Sequence, residues 1–568
     1  MKRQRKTVNQ IGVWRLNLVR LIFMVLVSGL GWRLTDIQIL NTDFLRNQGD
    51  ARHVRKVPVA AHRGMILDRH GEPLAISTPV HSVWLNPQEV DPNNQDLKQL
   101  AQVLNLKTNS IKKKITSNQK REFIYLKRRV TPELAAKVKQ LEISGVALQR
   151  EYKRYYPTGE VTSHVVGFTS IDDAGQEGLE LAHDDVLTGV PGLKRMIRDS
   201  RGNYVGGGEQ LRATKAGQNI SLSIDLRLQY LTYQALKSTV NKFHARSGSA
   251  VVLDIKTGEV LAMVNQPSFN PNNRRGLKTS DFRNRAVTDL FEPGSTVKPF
   301  TVAGGLKSGK FNLASEIDTR PGLFKVSGHT IKDFRDYGKI DLATLIQKSS
   351  NVGASKIALA LEPQELWHSF SAFGLAEATG AYFPGEAMGK MPDPQSWRKL
   401  DRATLAYGYG VATTALQLAR AYSVLANGGI LRPVSFLKTD QVPMGRRVYS
   451  TDTMKQVLTM MEKVVQLGGT AQKAAVANYT VAGKTGTIRK AISGGYADDR
   501  HSSSFAGVIP AKNPRLAMVV IVDDPQGGKY YGGLVAAPVF AEVMTGAMRL
   551  LNIAPDNLPI SQLQVAQK

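Results

Sequence analysis

Not one cysteine occurs among the 568 residues. Disulfides and thiolate metal sites are therefore excluded, and the chain suits an oxidising compartment in which a stray thiol is a liability. Acidic residues are also scarce: 47 Asp and Glu stand against 75 Lys and Arg, a formal net charge of +28. That balance fits an anionic partner, whether nucleic acid, a membrane surface or a wall polymer. The basic residues are spread along the chain apart from short runs such as Lys112-Lys113-Lys114, with no zinc-finger spacing and no RNA-binding aromatic signature. Nucleic acid is accordingly not expected as a partner. The ten histidines are scattered and no H-E-x-x-H occurs, so neither a metal nor an organic cofactor is expected. Long hydrophobic runs are missing too, with one exception.

That exception is Leu21 through Trp32, LIFMVLVSGLGW, behind Lys2, Arg3, Arg5, Lys6, Arg15 and Arg20. Positive charge ahead of an apolar stretch keeps the amino end in the cytoplasm and sends the rest across. A span of ~30 Å of hydrocarbon needs about 20 residues. The stretch 16–36 reaches that length if Arg20 and Arg33 snorkel toward the headgroups. A cleaved signal peptide is the competing reading, because its apolar region is only ~7–15 residues long. The arginines on both sides and the bulky Trp32 after Gly29 and Gly31 favour an uncleaved anchor, with 1–15 as a basic cytoplasmic tail. Either way, the bulk of the chain lies outside the cytoplasm.

Two or three domains are expected from the length. Residues 55–215 read as a mixed α/β pedestal without a catalytic constellation. Within it, Asp68-Arg-His-Gly71 reads as a turn between two short strands, and 91–150 read as mostly helical. A larger domain is expected over 220–552, where Ser249–Val264 forms a hairpin around Lys256-Thr-Gly-Glu259. Residues 553–568 read as a loose tail.

Three short motifs follow in order in the larger domain: Ser295-Thr-Val-Lys298, Ser349-Ser-Asn351 and Lys484-Thr-Gly-Thr487. Each is weak alone. Ser110/Lys113, Ser117/Lys120 and Ser396/Lys399 repeat the first spacing, and Lys256-Thr-Gly258 repeats the last. Context separates the chosen set. Ser295 follows Phe291-Glu-Pro-Gly294 and precedes an apolar helical run from Val297 to Leu306, so Ser295 and Lys298 share one helix face a turn apart. A hydroxyl is a poor nucleophile until a base takes its proton, and a desolvated lysine with lowered pKa can take it. Ser349, at the end of a helical segment, can relay a proton between Lys298 and a leaving amine. Asn351 carries an acceptor and donors for a substrate amide. Val481–Ile488 reads as a strand whose Gly486 lets a peptide lie close to its edge, with Lys484, Thr485 and Thr487 supplying charge and hydroxyls for a terminal carboxylate.

The ordered trio resembles the penicillin-recognising serine enzymes. Arg63–Ala75 is similar to the R-G-x-I-x-D-R-x-G-x-x-L-A pattern of class B penicillin-binding proteins. So are Phe291–Phe300, Tyr407-Gly-Tyr-Gly410 with Gln417-Leu-Ala419, and Tyr530–Pro538. The resemblance implies an α+β transpeptidase domain, an antiparallel sheet flanked by helices, on a pedestal with one transmembrane helix. It implies Ser295 as the acylated nucleophile, an oxyanion hole from the backbone N–H groups of Ser295 and Thr487, and no cofactor. Its implied ligands are peptidoglycan stem peptides ending in D-Ala-D-Ala, and β-lactams. A division-type member would work at the septum of the inner membrane, with a glycan polymerase of the FtsW type and other division proteins as partners. No glycosyltransferase domain is read before the pedestal, in keeping with a separate polymerase. Ser350 stands where many relatives carry Asp. An elongation-type transpeptidase, a D,D-carboxypeptidase, a serine β-lactamase and a penicillin-binding scaffold are the alternatives. Glu362 and Glu365 follow Asn351 too closely to serve as a β-lactamase's deacylating base.

Overall fold

The computed structural model describes residues 12–45, 54–198, 204–492 and 495–558. The basic tail before residue 12 and the end of the chain from 559 lie outside the described residues. Helix α1 (Val13–Thr35) continues through one π-helical turn, Asp36–Leu40. This 28-residue segment is apolar and long enough to cross a membrane, and none of it is buried against protein.

The described residues divide into two compact units, one drawn from 1–61, 79–152 and 190–215, the other from 62–78, 153–189 and 216–568. In the smaller unit, the amphipathic helices Asp96–Leu104, Thr108–Thr116 and Pro132–Gln140 turn Leu97, Leu100, Leu104, Ile111, Ile115 and Val138 inward. Strand Ile124–Val130 pairs antiparallel with 81–85. Residues 91–150 are therefore less helical than their charged pattern indicates. IYLKRRV alternates imperfectly, and cross-strand pairing decides its state. Three further strands, Val54–Val59, Gly192–Arg198 and Tyr204–Arg212, form a separate antiparallel sheet.

The larger unit is built on a five-stranded antiparallel sheet: β1 (Ser247–Asp254), β2 (Val260–Gln266), β3 (Ala482–Ile492), β4 (Gly495–Ile509) and β5 (Leu516–Asp523), in the order β2-β1-β5-β4-β3. The central strands β1 and β5 are buried along almost their whole length, which explains runs such as AVVLD and LAMVVIV with no polar alternation. Helices α2 (Leu226–Lys242) and α7 (Ala537–Leu550) belong to this unit, as do α3 (Lys298–Lys307), α4 (Leu342–Lys348), α5 (Asn351–Ala360) and α6 (Ala415–Ala426). All twelve residues of α6 are buried, Gln417 and Arg420 among them, and these two are satisfied by donating to the carbonyls of Glu377 and Arg432. Asp225 caps α2, accepting from Arg227 N and Leu228 N. Asp68 joins it, accepting from Leu226 N at 3.2 Å while holding the 68–72 turn through His70 N and Glu72 N. Arg63 and Arg154, both buried, share Glu180 at 2.8 and 2.6 Å.

Residues 553–557 are less loose than their composition indicates. Thr480 N donates to Asp556 Oδ1 at 2.8 Å, Asn557 N to Asn478 O, and Tyr479 Oη to Ile553 O.

Candidate active site

Ser295 lies in a 3-10 turn, Gly294–Val297, that feeds directly into α3. The turn is held from several sides. Tyr422 Oη of the buried α6 donates to Thr296 O at 2.8 Å, Thr296 Oγ1 donates to Pro293 O, and Gly294 N donates to Gly408 O. Gly408 has φ +88°, and a Cβ there would sit 2.2 Å from Gly294 O. Only glycine allows that approach. Among the described residues, Ser295 Oγ makes no hydrogen bond to protein, so its hydroxyl is not committed to a structural partner.

One turn on, Lys298 is fully buried. Its Nζ donates to Ser349 O at 2.6 Å, Asn351 Oδ1 at 2.7 Å and Ser349 Oγ at 3.1 Å. Lys484, also buried, reaches the same hydroxyl: Nζ to Ser349 Oγ is 2.9 Å, with Thr485 O at 3.1 Å. Three of the eight expected residues, Lys298, Ser349 and Lys484, thus meet at one oxygen, and Asn351 and Thr485 each accept from one of the two lysines. Burial lowers the Lys298 pKa well below its usual value, the Lys484 charge lowers it further, and Asp333 opposes both. Burial alone pushes Lys484 down to about 7. Each lysine is therefore primed to give up a proton far below the usual lysine range.

Ser349 closes α4 with φ +60°. A non-glycine residue in the left-handed region carries strain of roughly 1–3 kcal/mol, and here it lets the main chain offer both Ser349 O and Ser349 Oγ to Lys298. Ser350 then caps α5, accepting from Gly353 N at 2.8 Å. Its hydroxyl donates to Asp333 Oδ2 at 2.6 Å, while Asp333 Oδ1 accepts from Asn351 N and Val352 N. A carboxylate thus braces S-x-N from outside the motif. Sequence reasoning missed Asp333, because Lys332-Asp-Phe carries no local signal.

Lys484, Thr485, Gly486 and Thr487 lie on β3, the edge strand of the sheet, paired on one side only with β4. Gly486 faces the Ser295 turn so tightly that a Cβ would come 3.0 Å from Pro293 O and 2.3 Å from Ser504 Oγ. Thr485 Oγ1 bonds Thr470 Oγ1 at 3.0 Å, and Thr487 Oγ1 accepts from Gly532 N at 3.0 Å. Thr470 was likewise not singled out by the sequence. The decoy Lys256-Thr-Gly258 is the β1–β2 turn, with Asp254 Oδ1 accepting from Lys256 N and Thr257 N. No group of three or more His, Asp or Glu suited to a metal occurs among the described residues.

Two buried lysines, one of them a helix turn from Ser295, thus converge on the Ser349 hydroxyl at the edge of an antiparallel sheet. The penicillin binding protein transpeptidase domain matches residues 248–545, and the penicillin-binding protein dimerisation domain matches 58–222. The chain belongs to the class B penicillin-binding protein family. It is 43% identical over 564 residues to the peptidoglycan D,D-transpeptidase FtsI of Escherichia coli, covering 98% of this chain and 95% of that one. It is 40% identical to the probable peptidoglycan D,D-transpeptidase PbpC of Pseudomonas aeruginosa, over 96% of both chains. Among solved structures, the transpeptidase domain of Burkholderia pseudomallei penicillin-binding protein 3 is similar, with TM-score 0.55 and 42% identity, covering 60% of this chain and 98% of that one. A peptidoglycan synthetase from Bifidobacterium adolescentis gives TM-score 0.70 at 26% identity, over 89% of this chain and 98% of that one.

Proposed function

We propose that this chain is a peptidoglycan D,D-transpeptidase that cross-links stem peptides through an acyl-enzyme on Ser295. The observation that carries the reading is the placement of buried Lys298 Nζ, one turn from Ser295 and within 3.1 Å of Ser349 Oγ and Asn351 Oδ1. Neutral Lys298 takes the proton from Ser295 Oγ as that oxygen attacks the carbonyl carbon between the two terminal D-alanines. The developing oxyanion is held by the N–H groups of Ser295 and Thr487. The C–N bond breaks, the proton passes through Ser349 to the departing amine, and free D-alanine leaves. An amine of a second stem peptide then attacks the ester. Its proton returns to Ser295 Oγ by the reverse route, and the cross-link is released.

Asn351 holds the peptide amide, while Lys484, Thr485 and Thr487 bind the terminal carboxylate with Gly486 admitting the backbone. A β-lactam follows the first half of this course and stops, because its leaving group stays tethered. The transpeptidase domain takes 220–552 and the pedestal 55–215. Helix α1 anchors the chain in the inner membrane with the catalytic unit in the periplasm, since Lys2, Arg3, Arg5 and Lys6 precede an apolar segment of spanning length. Likeness along 98% of the chain to a relative named FtsI supports a place at the septum beside an FtsW-type polymerase.

The test is D-alanine release from a D-Ala-D-Ala stem peptide, with and without an acceptor amine. Release by the wild-type chain, cross-linked product only with acceptor, and neither with Ser295→Ala is the expected result. Release unaffected by acceptor, with no cross-link formed, would make the chain a carboxypeptidase instead. No release from folded protein would leave only a binding role.

A further inference from the structure

Beside the central sheet of the larger unit, a cavity of about 310 Å³ opens between β1, the far half of β3, the end of β5 and the segment around 285–292. Four cations line it: Arg246, Arg285, Arg489 and Lys490. Three of them are ion-paired, with two carboxylates shared among them. Lys490 Nζ lies 2.6 and 2.7 Å from the two oxygens of Asp523, Arg246 Nε lies 3.4 Å from the same carboxylate, and Arg489 Nη1 lies 2.9 Å from Asp498. Arg285 differs. Its sequence neighbour Asp289 is taken by Arg283 at 3.0 Å. Among the described residues no carboxylate is in ion-pair range of Arg285, whose Nη2 reaches only Ser280 O at 3.4 Å. Its Nη1 is buried without a protein partner.

A buried N–H on a charged group is costly to leave without an acceptor. Burial accordingly depresses the Arg285 pKa, Asp289 opposes that, and Arg283 and Arg246 add to it. The mechanism proposed for Ser295 uses none of these groups. The other walls include Phe291, Ile488 and Ile521, so the cavity couples one unpaired guanidinium to an apolar lining.

We infer that this cavity binds a small amphipathic carboxylate, with the carboxylate on Arg285 and the apolar body against Phe291, Ile488 and Ile521. A guanidinium presents N–H donors in the fork that a carboxylate matches. The volume lies at the small end of the range for ligand pockets, ~300–1,000 Å³. Asp289, Glu292 and Asp523 line the same cavity, which disfavours a polyanion and selects a single negative charge. The site is separate from Ser295 but continuous with it along the chain: Ile488–Lys490 continue the strand of Lys484–Thr487, and Phe291 and Glu292 lead into the Ser295 turn.

The test is equilibrium binding of phenylacetate to the full-length chain in detergent, with 2-phenylethanol as the uncharged counterpart. Saturable phenylacetate binding is expected, weakened at least tenfold by Arg285→Gln, retained in Lys484→Ala, and not matched by 2-phenylethanol. No binding to wild type, equal binding to Arg285→Gln, or loss in Lys484→Ala alone overturns the inference, the last by placing the carboxylate in the catalytic cleft. If Arg285→Gln shows no cooperative unfolding transition, footprinting of wild-type protein with phenylglyoxal decides. Phenylacetate should slow modification of Arg285 several-fold while 2-phenylethanol does not, and an unprotected Arg285 overturns the site.

Discussion

Lys298 and Lys484 share the hydroxyl of Ser349, and two ammonium groups so close cannot both stay charged at little cost. Lys298→Ala should slow acylation by a penicillin ~10²–10⁴-fold, the usual worth of a positioned base. In the wild type the acylation rate constant should rise with pH and level off well below the ordinary lysine range. Lys484→Met removes a charge that lowers the Lys298 pKa, so the midpoint of that rise should move to higher pH, while an unmoved midpoint would contradict the coupling. Stability carries its own signature. A lysine whose folded pKa is depressed binds fewer protons folded than unfolded, so its penalty is full below the folded pKa and fades as pH rises toward the unfolded value of ~10.4. For Lys484 that window opens at about 7. Between pH 7 and 10, wild type should therefore gain unfolding free energy relative to Lys484→Met, measured by chemical denaturation. The three motifs were legible because each has its chemistry within three or four consecutive positions. Asp333 was not, since it meets Ser350 and Asn351 across 17 and 18 residues of sequence. Asp333→Asn should cost about 1 kcal/mol as a lost cap, slow acylation, and move the pH midpoint lower, because the Asp333 charge holds the Lys298 pKa up.

At the scale of elements, the site is a seam between the edge strand β3 and the 3-10 turn before α3. Gly408 and Gly486 let main chains meet there where any Cβ would collide. Gly408→Ala should destabilise the larger unit by roughly 1–3 kcal/mol from its positive φ alone. It should also cut penicillin labelling strongly, because the displaced atom, Gly294 O, is next to Ser295; normal labelling kinetics would show that the turn tolerates the shift. The strand character of β1 and β2 was readable from the β-rich runs of Ser249–Val264, that of β3 from Val481–Ile488, and α3 from its Pro-Gly-Ser start. Strand Ile124–Val130 was hidden. IYLKRRV has a basic face that a helix would also accommodate, and only its register with 81–85 settles the state. Likewise Asp68 reads as a turn residue, and its second role at the start of α2 depends on Leu226, 158 residues away.

For the whole molecule, the absence of cysteine and the one exposed apolar helix of spanning length among the described residues bear on the same question, that of compartment. Because α1 buries nothing against protein, removing residues 1–45 should leave both compact units folded. The shortened chain should extract without detergent, sediment as a soluble protein and label with penicillin at the wild-type rate. Retention on membranes would point to a second attachment. The net charge of +28 identified no partner by itself; an anionic wall or membrane surface and a nucleic acid attract it alike.

The most direct test of an acyl-enzyme on Ser295 is the intact mass of the purified chain after incubation with a penicillin, beside Ser295→Ala. A stable gain of one drug mass, mapped to the peptide containing Ser295 and missing from the variant, is the expected result. Drug consumed without an adduct would indicate rapid deacylation by a β-lactamase, and drug left intact by folded wild-type protein would contradict the acyl-enzyme itself.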